Sequence, residues 1–240
     1  AYPPGTSSSY SNTNYLLVGL ILEAVTRTSV KDLVRSRFSE PLGLAGTFMD
    51  TAGDDNARLA RGYLEVPTGA STWKASPLLY WVFNSDERLG NGLVDATDHF
   101  HPTLAGHAGA LISTTADMTQ VVAALGDGRL LAPAALDALQ DYRACELNGR
   151  EVKYGVGLFQ LPTALGPAFG HGGLTFGYRT QTFHEPAHRV SFSIMTNYYP
   201  DQISAITDEM LTTVTGGPRG AAAAACAVPA GFFDDSDSTL

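Results

Sequence analysis

The sequence predicts an α+β chain: a mainly helical part over 1–150, antiparallel strands and a closing helix over 151–215, and a low-complexity tail over 216–240. Three observations carry that prediction. Apolar residues recur at helical spacing through the first part, most clearly at Leu16, Leu17, Leu20, Ile21, Ala24 and Val25. Near Arg150 the pattern changes to alternation, interrupted by glycine and by Glu185-Pro186-Ala187-His188. After Gly216 the chain runs into alanines and then an acidic, serine-rich end, a composition that packs poorly.

Each element follows from local signals. Pro3-Pro4-Gly5 and the residues to Ser9 are turn formers, and Ser11 or Asn12 is placed to cap a helix over Asn14 to Thr26. A second helix is expected from Val30 to Phe38, closed by Pro41-Leu42-Gly43-Leu44. Residues 50–105 hold Gly, Pro, Asp and aromatics without a sustained period, so they read as loops with short helices. From Leu111 onward, through Thr115-Ala116-Asp117-Met118, a helix runs to about Leu125, and another covers Pro133 to Tyr142. Strands are expected at Tyr154 to Leu161, Phe176 to His184 and Arg189 to Asn197, then a helix from Asp201 to about Val214. Three strands and one helix leave sheet edges and one face uncovered, so part of the fold is expected to lie outside this chain.

Bulk properties narrow the function. With 240 residues, 44% hydrophobic and 16% charged, the chain is long enough to bury a core. A net charge of −9 excludes binding to nucleic acid or an anionic membrane through bulk electrostatics. No apolar run reaches the roughly 18 residues of a membrane span, and no leader peptide is visible at Ala1. Cys145 and Cys226 leave a single disulfide and two inert thiols equally open.

Several groups carry chemistry. Tyr10-Ser11-Asn12 sets a phenol and an amide at a helix start, where a phenol beside a cation works as a general base. Taken alone, this triplet reads more readily as a helix cap with a buried tyrosine. Phe169-Gly170-His171-Gly172-Gly173-Leu174 stands before an expected strand, where glycines admit a ligand close to the backbone and Leu174 offers an N–H to an oxyanion. Alone, it reads more readily as a glycine-rich turn with a surface histidine. His99, His101 and His107 lie near Asp95 and Asp98, but their spacing matches no standard zinc pattern, and no metal or other cofactor is expected. Ser71-Thr72-Trp73-Lys74 fits Ser-x-x-Lys, the nucleophile pattern of penicillin-recognising enzymes; Pro67, Gly69 and Pro77 around it argue against the required helix start, which makes it a decoy.

Together the order of these pieces resembles the serine β-lactamase-like and penicillin-binding peptidase family. Pro4-Gly5 ahead of Tyr10-Ser11-Asn12-Thr13-Asn14-Tyr15, then Pro41-Leu42-Gly43-Leu44, Ala108 to Asp117, Tyr154-Gly155-Val156-Gly157-Leu158 and Gly170-His171-Gly172-Gly173 fall in the family's order over roughly residues 3–215. The resemblance points to the class C β-lactamase, D-Ala-D-Ala carboxypeptidase, D-aminopeptidase, D-amino-acid amidase and esterase branch. It implies a β-lactamase/transpeptidase-like fold, a helical subdomain plus an antiparallel sheet flanked by helices, with the N-terminal strands and helix missing from this chain. It also implies a secreted or cell-envelope protein.

The roles it implies are specific. Tyr10 would shuttle the proton between the nucleophile and the leaving group. Asn12 would hold a lysine and the substrate amide, His171 would stand where the family has a basic residue, and the Leu174 N–H would form half of an oxyanion hole. Gly172 and Leu174 occupy places where carboxypeptidases carry hydroxyls that grip a carboxylate, Gly173 lies between them, and Phe159 stands where an arginine can assist. The expected substrate is therefore a small peptide, amide, ester or β-lactam, and a free C-terminal carboxylate should bind less well. The nucleophilic Ser-x-x-Lys would come from an N-terminal piece of the same precursor, held as a second chain. The alternative is a non-catalytic member that binds a peptide or partner.

Overall fold

An antiparallel six-stranded sheet, in the order β10-β9-β8-β7-β6-β5, forms the centre of the computed structural model. The structure describes residues 2–3, 5–50, 59–65, 93–97, 102–147, 150–163, 165–175, 177–199 and 203–215. The strands are β5 (Arg143–Leu147), β6 (Arg150–Tyr154), β7 (Phe159–Thr163), β8 (Gly166–Thr175), β9 (Tyr178–Glu185) and β10 (Val190–Thr196). The sheet is twice as wide as the three strands the sequence suggests. Two causes account for the difference. The β5–β6 hairpin is rich in Arg, Glu and Lys, so its alternation is masked by charge on exposed positions. The glycine run of β8, expected as a turn before a strand, lies inside a strand ten residues long.

The remaining elements lie close to their expected places. Helix α1 (Asn12–Thr26) is capped by Ser11, whose side chain makes no cap hydrogen bond. Helix α2 (Val30–Val34) continues through a wider π turn at Arg35–Ser39 into α3 (Glu40–Leu42), and Gly43 ends it with φ +66, a left-handed value glycine adopts at no steric cost. The helix expected from Leu111 starts later. Leu111–Ile112 is a short strand, β4, paired with β1 (Phe48–Met49), and helix α4 covers Thr115–Gly126. Helix α5 covers Pro133–Leu139, and α6 covers Ile203–Thr215. Within the span expected as loops, β2 (Tyr63–Glu65) and β3 (Leu93–Asp95) form, and with β11 (Tyr198–Tyr199) they build a small three-stranded sheet. The tail after 215, Cys226 and Ser71-Thr72-Trp73-Lys74 lie outside the described residues.

Side chains alternate across a strand, so β9 divides the layers. Thr207 of α6 donates to Gln181 Oε1 at 2.6 Å, placing α6 on the face of Gln181 and Phe183. Gly126 of α4 packs on the His184 ring, on the opposite face. The core on the α6 side joins Cys145, Val152, Phe159, Leu161, Ala168, Phe183, Phe192 and Leu211. Fully burying a Val, Leu or Phe side chain of this kind stabilises by about 1.5–3 kcal/mol. Helix α4 is tied down by a buried carboxylate: Asp117 accepts from the Gly46 N–H and from Thr47 Oγ1, each at 2.8 Å.

Helix α1 is different. Leu17, Val18, Leu20, Ile21 and Val25 are all about half exposed or more, with Val25 at 78%. A helix apolar around most of its circumference belongs in an interior. No helix among the described residues is long and apolar enough to cross a membrane.

Candidate active site

Tyr10 is positioned by the sheet. Its backbone N–H donates to Glu146 O at 3.0 Å, and the Glu146 N–H donates to Ser8 O at 3.0 Å, so Ser8 to Tyr10 run as a short parallel partner along β5. The half-buried Tyr10 ring then lies 5.5 Å from Tyr154, 6.0 Å from Phe159, 6.0 Å from His171 and 5.9 Å from Tyr15, centre to centre.

The Tyr154-Gly155-Val156-Gly157-Leu158-Phe159 segment turns β6 into β7. Gly157, at φ +80, makes the turn possible without strain. Tyr154 and Phe159 are directly paired in the ladder, so their side chains stand on one face with rings 4.5 Å apart. Phe159 is 1% exposed; it forms the floor on which the His171 ring rests, 4.7 Å away.

His171 sits on β8 where the sheet opens. Strand β7 pairs with β8 only as far as Phe159 opposite Gly170, whereas β9 accompanies β8 on to Thr175. From His171 to Thr175 the β8 backbone therefore has a ladder partner on one side only among the described residues. Gly172, Gly173 and Leu174 lie along this open edge. An open edge with a buried glycine is a place where an extended ligand pairs with backbone.

The imidazole is locked by two contacts. Nδ1 meets the carbonyl of Gly172, and Nε2 lies 3.3 Å from Tyr154 Oη. Burial pushes the His171 pKa below its ordinary value, against the opposing pull of the Gly172 carbonyl, so the ring is neutral at pH 7. Tyr15 Oη is hydrogen-bonded to Tyr154 Oη, and burial raises the pKa of both phenols. Asn12 is exposed at the first position of α1, three residues before Tyr15 and hence on the same side of the helix.

Thus Tyr10, His171 and Phe159, far apart in the chain, converge, with Gly172 to Leu174 leading away from them. Sequence reading missed the contribution of Tyr15 and Tyr154, although both stand inside segments it singled out. Of the histidine cluster, His99 and His101 lie outside the described residues. His107 packs on Gly19 of α1, its Nε2 3.9 Å from Glu23. Among the described residues no group of three or more potential metal ligands gathers.

The chain and its fold are similar to known proteins. The family model described as Beta-lactamase matches residues 1–214. The chain belongs to the beta-lactamase family. It is 26% identical over 222 residues to a D-aminopeptidase of Cereibacter sphaeroides, a match spanning 92% of this chain and 38% of that protein. Among solved structures it resembles the D-amino acid amidase from Ochrobactrum anthropi SV3 complexed with L-phenylalanine, with a TM-score of 0.77 and 24% identity over 90% of this chain and 61% of that one. It also resembles the octameric penicillin-binding protein homologue from Pyrococcus abyssi, with a TM-score of 0.69 and 20% identity over 90% of this chain and 44% of that one. The helices and flanked antiparallel sheet are thus the β-lactamase/transpeptidase-like α+β fold. The chain spans less than two thirds of the length of each of these relatives.

Proposed function

We propose that this chain is the C-terminal part of a serine hydrolase or acyltransferase that works through an acyl-enzyme on amide or ester bonds of D-amino-acid-type substrates. The observation that carries the reading is the convergence of Tyr10 and His171, 6.0 Å apart, at the point where β8 opens. Acyl transfer needs a nucleophile, a base beside it and donors for the oxyanion. Tyr10 is the base. An ordinary phenol, with a pKa near 10, needs a cation beside it to act at neutral pH. His171, being neutral, does not supply that charge. The lysine of a Ser-x-x-Lys segment does, and Asn12 lies at the start of α1 where it would meet that lysine and the substrate amide.

The Leu174 N–H lies on the open edge and serves as one oxyanion donor; Gly172 and Gly173 leave room for the substrate backbone. Phe159, in place of a cation, makes the floor apolar and disfavours a free carboxylate. The names of the relatives, a D-aminopeptidase and a D-amino acid amidase, agree with this choice of amide substrates.

The nucleophile is assigned to an N-terminal piece of the precursor that covers α1. The support is the apolar circumference of that helix, with Leu17, Leu20, Ile21 and Val25 all more than half exposed. The test is covalent labelling of the protein as purified, with a fluorophosphonate and with a fluorescent penicillin, followed by a denaturing gel and peptide mapping. Label on a serine followed three residues later by lysine, in a segment preceding Ala1, is the expected result. Label on Ser71 overturns the assignment of the nucleophile. Absence of label with every acyl donor, together with no hydrolysis of D-phenylalanine amide, refutes the enzyme and leaves a peptide-binding member of the fold.

A further inference from the structure

The tyrosines behind His171 form a hydrogen-bonded chain whose direction is determined by its end. The Gly172 carbonyl can only accept, so Nδ1 of His171 carries the proton. In a neutral imidazole the other nitrogen is then an acceptor, so Tyr154 Oη donates to Nε2, at 3.3 Å. With its proton committed, Tyr154 Oη accepts from Tyr15 Oη. The chain Tyr15 to Tyr154 to His171 to the Gly172 carbonyl therefore runs in a single sense. It starts on α1, crosses from β6, and ends on the β8 backbone at the point where its edge opens.

Resting on the hydrolase reading, we propose that Tyr154, backed by Tyr15, is a positioning residue: it holds His171 as the Nδ1–H tautomer and through it fixes the Gly172 carbonyl at the substrate edge of β8. The surroundings favour this. Phe159 supports the imidazole from below, and the Tyr154 ring meets it edge-on at 73°. Among the described residues, the other titratable groups facing the pair are Tyr10 ahead of α1, Tyr15 on α1 and Cys145 on β5. Burial keeps His171 unprotonated and both phenols protonated at neutral pH, so the sense of the chain holds there. The 3.3 Å separation is wider than an ideal hydroxyl bond and still within hydrogen-bond reach. His171 then offers the cleft neither a charge nor a free lone pair; its work is to hold the backbone still.

Isotope-edited NMR of the imidazole nitrogens tests this on the chain itself, with His171→Gln identifying the His171 signals among the six histidines. The expected result is an unprotonated Nε2 in the native protein. In Tyr154→Phe the Nε2 signal moves and the tautomers mix, and in Tyr15→Phe it moves in the same direction by less. An Nε2–H tautomer in the native protein, or an Nε2 signal unchanged in a folded Tyr154→Phe or Tyr15→Phe variant, overturns the proposal. In the complete enzyme, Tyr154→Phe should lower kcat roughly tenfold with KM little changed. A change confined to KM would also count against it. Failure of the native enzyme to turn over any acyl donor would sink the hydrolase reading, while the NMR result still decides the hydrogen-bond chain.

Discussion

Replacing Gly170 by alanine drives a methyl group into the neighbouring strand. A Cβ at this position would stand 2.1 Å from Thr182 O, 2.7 Å from Phe183 Cα and 2.9 Å from Phe183 Cδ1. Two of those atoms are backbone, so no rotamer change relieves the contact. Restoring even a tight 3.0 Å approach requires β8 and β9 to separate by close to 1 Å. Gly170 is directly paired with Phe183, and a shift of that size breaks the local ladder. Overpacking of this kind costs about 1–3 kcal/mol, and each hydrogen bond lost adds about 1 kcal/mol, for a total near 3–5 kcal/mol. For a chain of this size that is a fall in Tm of roughly 10 °C. Gly173→Ala is the internal control. Among the described residues its Cβ would meet Thr180 Oγ1 at 2.8 Å and Thr180 Cβ at 4.0 Å, and a side-chain rotation relieves the close contact. Removing a strand glycine also recovers about 0.5–1 kcal/mol of conformational entropy, so this variant should be close to neutral. Urea titrations followed by circular dichroism on both variants measure the difference. Equal midpoints for the two variants, or a Gly170→Ala protein as stable as the parent, would refute the reasoning.

Asp208, buried on α6, has its carboxyl pKa pushed up to about 6 by desolvation. A raised folded-state value means that stability is lost as pH rises through it, so Asp208→Asn should gain about 1–2 kcal/mol at pH 8 in urea melts, with the gain gone by pH 4. His184, bonded to Ser191 Oγ at 2.8 Å, has its pKa lowered chiefly by burial. The unfolded chain then takes the proton first, so the parent should lose stability relative to His184→Gln as pH falls below about 6.5, read from the same melts at stepped pH. Thr114 caps α4 by accepting from the Asp117 N–H at 3.1 Å, and Thr114→Ala should cost about 1 kcal/mol in unfolding free energy.

Much of the fold was legible because local chemistry and tertiary demand agree. Helix α1 carries its apolar spacing and turn residues where the helix begins, and α4 has Thr114 and Asp117 at its start. The β9–β10 hairpin shows both its alternation and its turn at Glu185 to His188. Strand β8 was misread because glycine is ordinarily a turn signal; here Gly170 is required by the approach of the neighbouring backbone, which no local pattern reveals. Strands β5 and β6 were missed because their exposed positions hold Arg, Glu and Lys, which makes the hairpin look like a solvated connection. In the site, Tyr10 and His171 stand out as motif residues, and the structure brings them together. Tyr15 and Tyr154 do not, because their hydrogen bond joins residues 139 positions apart and depends on the register that sets Tyr154 beside Phe159.

The short run from Ser8 to Tyr10 along Glu146 has a consequence for how this sheet can grow. It occupies the β5 margin at Glu146 with backbone already committed to pairing. Among the described residues, an outer margin open along its whole length for a further strand, of another polypeptide or of a second copy, is then that of β10. Those two margins are five strand spacings apart, about 24 Å. A polypeptide recruited at β10 would thus leave the Tyr10 margin untouched.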